Sequence, residues 1–223
     1  MSITSKALNP DAKNQHMIDG QLLPNDVTDE NVVEAISKVN RESFVPAERK
    51  GVAYIDKSIK VAENRYMLEP LALAKLLSYA DIQSDELVLD IAPSTGYSSA
   101  VLSKLVDAVV AIEENKELSE IATKNLADEE CDNVAVINSV HNEGLAKQGP
   151  YDLILINGMV DDIPKALLEQ LNDGGRILCV LNQDGYGRAS LVTYNEGIMG
   201  VRILFDAIAH KLEGFVKEEK FVF

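Results

Sequence analysis

Through the second half of the chain, short apolar runs alternate with stretches of helical periodicity. Leu87–Ile91, Ala108–Glu113, Val134–Asn138, Leu153–Asn157 and Arg176–Leu181 are almost continuously apolar. A strand needs that when both of its faces are covered, and segments of helical length separate most of these runs. The alternation predicts a parallel sheet with right-handed crossovers. After Asn182–Gly187 the connections shorten, and Leu191–Tyr194, Val201–Phe205 and Phe215–Phe223 read as strands of an antiparallel edge. In the first half, Thr28 is placed to cap a helix whose apolar face is Val32, Val33, Ala35, Ile36 and Val39. Pro70 suits the first turn of a second helix through Leu77. Between them, RESFVPAERKGVAYIDKSIKVAENRYMLEP has no regular period, and long irregular segments of this kind often cover a site.

Composition narrows the picture. With 223 residues, 46% of them hydrophobic, the chain can bury one sizeable core. The expected organisation is a single domain over 1–223, with residues 1–80 as an N-terminal helical cover and substrate loop and 81–223 as a Rossmann-like core. Thirty-six acidic against 21 basic side chains give a net charge of −15, which repels polyanions and argues against nucleic acid or an anionic membrane as partner. There is no long apolar run, and MSITSKALNPDAKNQ lacks the apolar segment of a signal peptide, so the expected location is the cytoplasm. Cys131 and Cys179 read as core thiols, and His16, His141 and His210 are too scattered to suggest a metal.

In an open parallel sheet, ligands bind outside the carboxyl ends of the strands, where the strand order reverses. The candidate positions are therefore Asp90 to Gly96, Glu113 and Glu114, Ser139 to Asn142, and Asn157 to Val160. Glu113 follows Asp90 at nearly the spacing of a carboxylate that accepts from the hydroxyls of an adenosine ribose. A dinucleotide would also need its pyrophosphate cradled by glycine amides. The loop Ala92-Pro93-Ser94-Thr95-Gly96 has β-carbons and a proline there instead. An adenosine carrying a cationic group and no phosphates suits it better, which points to S-adenosyl-L-methionine. The plainer alternative is that Asp90 and Glu113 only orient strand ends.

VLDIAPSTGYSSAVLSKL, with VVAIEENKEL, GPYDLILINGMVDDIPKALLEQLNDGGRIL and the upstream MIDGQLLPNDVTDENVVEAISKVNRESFVP and AYID, together resemble the protein-L-isoaspartate O-methyltransferase family over roughly residues 16 to 185, with the order of the pieces kept. The resemblance implies a class I S-adenosylmethionine-dependent methyltransferase fold, α/β, with a seven-stranded, mostly parallel sheet, helices on both faces and an antiparallel C-terminal edge. It matches Asp90, Gly96 and Tyr97 to the first cofactor motif and Glu113 to the ribose ligand. Where the family pattern resembles E-I-G-x-G-S-G-Y, Ala92 and Ser94 replace the first two glycines. Where it resembles G-D-G, this chain has Ser139, Val140 and His141, so Val140 and His141 are the residues expected to flank the adenine. Asn157 closes the fourth strand. Where the substrate segment resembles G-Q-T-I-S-Q-P, the chain reads Asn64-Arg65-Tyr66-Met67-Leu68-Glu69-Pro70, with Leu68 in place of the serine.

The implied reaction is carboxyl O-methylation of damaged protein residues, a repair chemistry, or of a related carboxylate. Such an acceptor, with a pKa of about 4, is already ionised and needs no general base. Catalysis then rests on alignment. Arg65 is the expected clamp on the acceptor carboxylate and Tyr66 the residue that positions it or excludes water; otherwise Arg65 pairs with Glu63 or Glu69. Asn157-Gly158-Met159 lacks the prolines and aromatic of amine-methylating enzymes. The altered 64–70 segment leaves open a small-molecule acceptor, and the altered loop leaves open a non-catalytic scaffold. FVKEEKFVF reads as a charged edge strand.

Overall fold

The computed structural model describes residues 10–215. Helix α1 (Pro10–Met17) and α2 (Glu30–Ser37) precede a small antiparallel hairpin, β1 (Ile59–Ala62) and β2 (Arg65–Met67). Then come α3 (Pro70–Ser78), β3 (Leu87–Ile91), α4 (Tyr97–Leu102), β4 (Ala108–Ile112), α5 (Lys116–Asp128) and β5 (Val134–Ile137). The chain continues through β6 (Tyr151–Val160), α6 (Lys165–Leu168), β7 (Leu171–Gln183), β8 (Tyr186–Asn195) and β9 (Ile198–Asp206). The main sheet has the order β5-β4-β3-β6-β7-β8-β9. Pairing from β5 to β7 is parallel, and β8 and β9 form the antiparallel edge. The seven strands and their antiparallel edge are those the resemblance implied.

The sheet is covered on both sides because its central strands are apolar on both faces. Val88 of β3 packs with Leu73, Leu76, Leu77, Val101 and Phe44 on one side. Leu89 and Ile91 face Ile154, Ile177, Leu167 and Phe215 on the other. Burying a side chain of this size contributes about 1.5–3 kcal/mol. Strand order reverses between β3 and β6, which puts the crevice expected of such a fold at the carboxyl ends of those two strands.

Three expectations need revision. The cap of α2 is Asp29, not Thr28: its carboxylate accepts from the amides of Asn31 and Val32, one residue further along than expected. The segment from Arg41 to Pro70 is not irregular throughout, since it forms short helical turns and the β1–β2 hairpin. Strands β6 and β7 are longer than their apolar runs, with breaks in register between Tyr151 and Leu153 and between Leu155 and Met159. The proposed strand Phe215–Phe223 lies outside the described residues except for Phe215, which is buried. Cys131 and Cys179 are both free and buried. Among the described residues no helix is long and apolar enough to cross a membrane.

Candidate cofactor site

The loop leaving β3 keeps a backbone suited to glycine while carrying side chains. Ala92 has φ 59°, Ser94 φ 58° and Gly96 φ 100°. An L-residue held there costs roughly 1–2 kcal/mol, so the surroundings must enforce the shape. They do so through several bonds. The Ala92 amide donates to the Ile112 carbonyl (3.0 Å), Thr95 Oγ1 to the Phe44 carbonyl (2.6 Å), and Asn125 Nδ2 to the Thr95 carbonyl (3.0 Å). At Gly96 a β-carbon would also meet Leu126 at 3.3 Å. Both Ala92 and Ser94 are buried, so their β-carbons fill the cradle that bare backbone would leave open.

Asp90, on the last turn of the pleat before this loop, is wholly buried. Its Oδ2 accepts from Ser98 Oγ (2.7 Å) and Ser99 Oγ (2.5 Å) on α4, and its Oδ1 from Asn157 Nδ2 (2.6 Å) at the end of β6. Asn157 also donates to the Ile91 carbonyl (3.0 Å), which ties β3 to β6 across the crevice. Burial pushes the Asp90 carboxyl up to about 6; the three donors oppose the rise and the charge of Glu113 adds to it.

Glu113 follows β4 directly and is also wholly buried. Arg65, from the start of β2, grips it in bidentate fashion: Nη1 donates to Oε1 (2.6 Å) and Nη2 to Oε2 (2.5 Å). The Ser94 amide donates to Oε2 (3.1 Å) and the Asn115 amide to Oε1 (3.0 Å). A carboxylate offers about four lone-pair sites, and all are taken. Burial raises this carboxyl, but His141 and the Arg65 guanidinium outweigh it and hold Glu113 below the usual range. The buried His141 ring lies 3.5 Å from Glu113 through Nε2, which also accepts from the Glu114 amide (3.1 Å).

The structure therefore brings Asp90, Ala92, Ser94, Gly96, Glu113, His141 and Asn157 to one end of the sheet. Val140 sits beside His141 and is exposed. Tyr97 turns inward instead, edge-on to Phe44 and beneath the Arg41 guanidinium, 4.4 Å from its ring centre. Arg65 faces Glu113, and neither an open acceptor site nor Glu63 or Glu69 is its partner. Tyr66 stacks on His210 with ring centres 3.4 Å apart. His210 was not expected here. It belongs to a strap held across β6, in which the Met159 amide donates to the His210 carbonyl and the Leu212 amide to the Met159 carbonyl, both at 2.8 Å. The strap packs on Gly158, where a β-carbon would meet Leu212 at 3.0 Å. Arg41 was not expected either: it is wholly buried and donates to the Ala53 and Leu68 carbonyls, which fixes the hairpin's exit.

The hairpin and strap close the crevice. The space between Tyr66, Leu68, Ala92, Tyr97 and Asn157 is about 10 Å³, as is that between Arg65, Tyr66, Asn157 and His210. Sites for ligands of this class run to about 300–1,000 Å³. The side chains that would hold an adenosyl group are gathered in the right place, and in this conformation Arg65 takes the Glu113 positions that a ribose would use, with little free space between the described residues just named.

Residues 12–203 match the model of the Protein-L-isoaspartate(D-aspartate) O-methyltransferase (PCMT) family. A protein-L-isoaspartate O-methyltransferase of Koribacter versatilis is 36% identical over 162 residues, 73% of each chain. One from Vibrio atlanticus is 30% identical over 175 residues, 78% of this chain and 84% of that one. Among solved structures, a protein-L-isoaspartate O-methyltransferase superposes with a TM-score of 0.80 at 21% identity, covering 91% of this chain and 66% of that chain. A Plasmodium falciparum protein assigned to the same class, in complex with S-adenosyl-L-homocysteine, gives 0.77 at 17% identity, covering 93% and 99%. At these identities the two structures speak to the fold.

Proposed function

Because the chain belongs to the protein-L-isoaspartate(D-aspartate) O-methyltransferase family, we propose that it transfers a methyl group from S-adenosyl-L-methionine to a carboxylate on damaged, isoaspartyl-containing protein in the cytoplasm. The observation that carries this reading, beyond membership itself, is the gathering of Asp90, bonded to Asn157, and of Glu113, whose charge acts on Asp90, toward the carboxyl ends of the parallel strands β3, β4 and β6. Two wholly buried acids placed together at a switch point are costly to the fold, which favours a binding role over a purely structural one.

In this reading Glu113 is the ribose ligand, and Asp90 with Asn157 shapes the floor of the crevice. Ala92, Ser94 and Gly96 supply the loop, while Val140 and His141 border the adenine side. Arg65 and Tyr66 stand on the acceptor side, on the hairpin that covers the crevice. The acceptor is an anion at neutral pH, so the chain has only to bind, orient and exclude water. The hairpin lies over these residues, so its position governs access to them. A second reading, a small-molecule carboxylate as acceptor, draws on Leu68, which is buried where the family pattern has a hydroxyl.

The test is label transfer from S-adenosylmethionine to an isoaspartyl peptide, with the normal aspartyl peptide as control. Base-labile label on the isoaspartyl peptide alone is the expected result. No label on that peptide, with label on a small carboxylic acid, would move the assignment to the second reading. No label on any carboxylate would remove methyl transfer altogether.

A further inference from the structure

We propose that Arg65 is an internal competitor for the cofactor site: its guanidinium occupies the Glu113 carboxylate that the ribose would use, and binding requires exchange of one for the other. The inference rests on the methyltransferase reading above and concerns how that site is gated.

Three observations converge. First, stoichiometry: the four acceptor positions of Glu113 are filled by Nη1 and Nη2 of Arg65 and by the amides of Ser94 and Asn115. The two amides are main-chain donors of the loop and of the α5 cap, so the arginine side chain is the donor that can leave without moving the backbone of either. Second, coordinated departure: Arg65 stands where the family pattern resembles glutamine and Ser94 where it resembles the second glycine. The two replacements touch, since Arg65 Nη2 donates to Ser94 Oγ (3.2 Å). A glycine at 94 would offer no such acceptor, and a glutamine at 65 has no charge to pair with Glu113. Third, construction: Arg65 sits on a two-stranded hairpin of only four and three residues, joined through Asn64 at φ 53°. So small a hairpin is marginal by itself. It is secured by the Glu113 pair, by the stacking of Tyr66 on His210, by the buried Ile59 and Met67, and by the Arg41 bond to the Leu68 carbonyl. The ion pair is the anchor that a ribose on Glu113 would displace, so occupancy of Glu113 and the hold on the hairpin are linked.

The arrangement predicts weak binding by the natural chain and stronger binding when the competitor is removed. Isothermal titration with S-adenosylhomocysteine would be run on the natural chain, on Arg65→Gln and on Arg65→Lys. Arg65→Gln should bind at least tenfold more tightly than the natural chain. Arg65→Lys keeps a buried cation but cannot form the fork, and should fall between them; it serves if Arg65→Gln proves too unstable to titrate. Amide hydrogen exchange on the natural chain at saturating ligand provides a readout that a merely structural arginine would not move: residues 59–67 should lose protection while β3 and β4 gain it. If all three proteins bind with equal affinity, or the variants bind more weakly, Arg65 is no competitor and the methyltransferase reading stands. If none of them binds, both readings fail together.

Discussion

Asp90 gives the account a quantitative handle. Its carboxyl is pushed from 3.8 to about 6 in the folded chain, chiefly by burial. The folded state therefore holds this proton more tightly than the unfolded state does. Between about pH 4 and 6 the unfolded chain has already lost a proton that the native chain retains, so stability falls as pH rises through that window and is lowest above it. A shift of about two units corresponds to roughly 3 kcal/mol in full, of which about 2 kcal/mol lies between pH 4.5 and 7. Asp90→Asn removes the titration while keeping the shape, and its amide can still bond Ser98, Ser99 and Asn157. Urea unfolding of both proteins at several pH values isolates the effect, because other groups cancel in the difference. The stability of Asp90→Asn relative to the natural chain should rise by about 2 kcal/mol from pH 4.5 to pH 7. A difference that stays flat with pH would show that Asp90 ionises as it does in the unfolded chain, and burial would not be setting its proton affinity.

Two further outcomes test separate parts of the structure. In the Arg65→Gln background, Glu113→Ala should weaken S-adenosylhomocysteine binding at least tenfold, about 1.4 kcal/mol; equal affinity of Arg65→Gln with and without Glu113→Ala would take Glu113 out of the ribose site. At the opposite end of the sheet, Arg176 donates to Glu86 in bidentate fashion (2.8 and 2.9 Å) and to the Ala80 carbonyl (2.6 Å), so Arg176→Met should cost roughly 3–5 kcal/mol in urea unfolding. Its ligand affinity should be unchanged, and a loss of affinity would mean that the two ends of the sheet are coupled.

Much of the fold could be read from the chain because its information is local. Leu87–Ile91 is an apolar run broken only by Asp90, and β3 has those bounds. Pro70 opens α3 as its fixed φ requires. The hairpin was hidden by the charges of Lys60, Glu63 and Arg65, and because it is only seven residues of strand with one face against the core. Misplacing the α2 cap by one residue reflects two adjacent capping types, Thr28 and Asp29, that sequence alone does not rank. Glu113 and Asp90 were legible as strand-end acids. Their occupants were not: Arg65 reaches Glu113 across 48 positions, while Glu63 and Glu69 lie close to it in sequence and invited the local pairing. His210 was equally remote, since the strap that brings it over Tyr66 is irregular and carries no period. Arg41 offered only the signature of an ordinary surface charge, and its burial follows from carbonyls supplied by the turn at Ala53 and by Leu68.

The most direct measurement is a crystal structure of the chain with S-adenosylhomocysteine bound. Both ribose hydroxyls should lie within hydrogen-bond distance of the Glu113 carboxylate, with the Arg65 guanidinium displaced from it and the 59–67 hairpin moved away from the crevice. Nucleoside bound with the Arg65–Glu113 pair intact, or seated away from Glu113, would contradict the exchange of arginine for ribose.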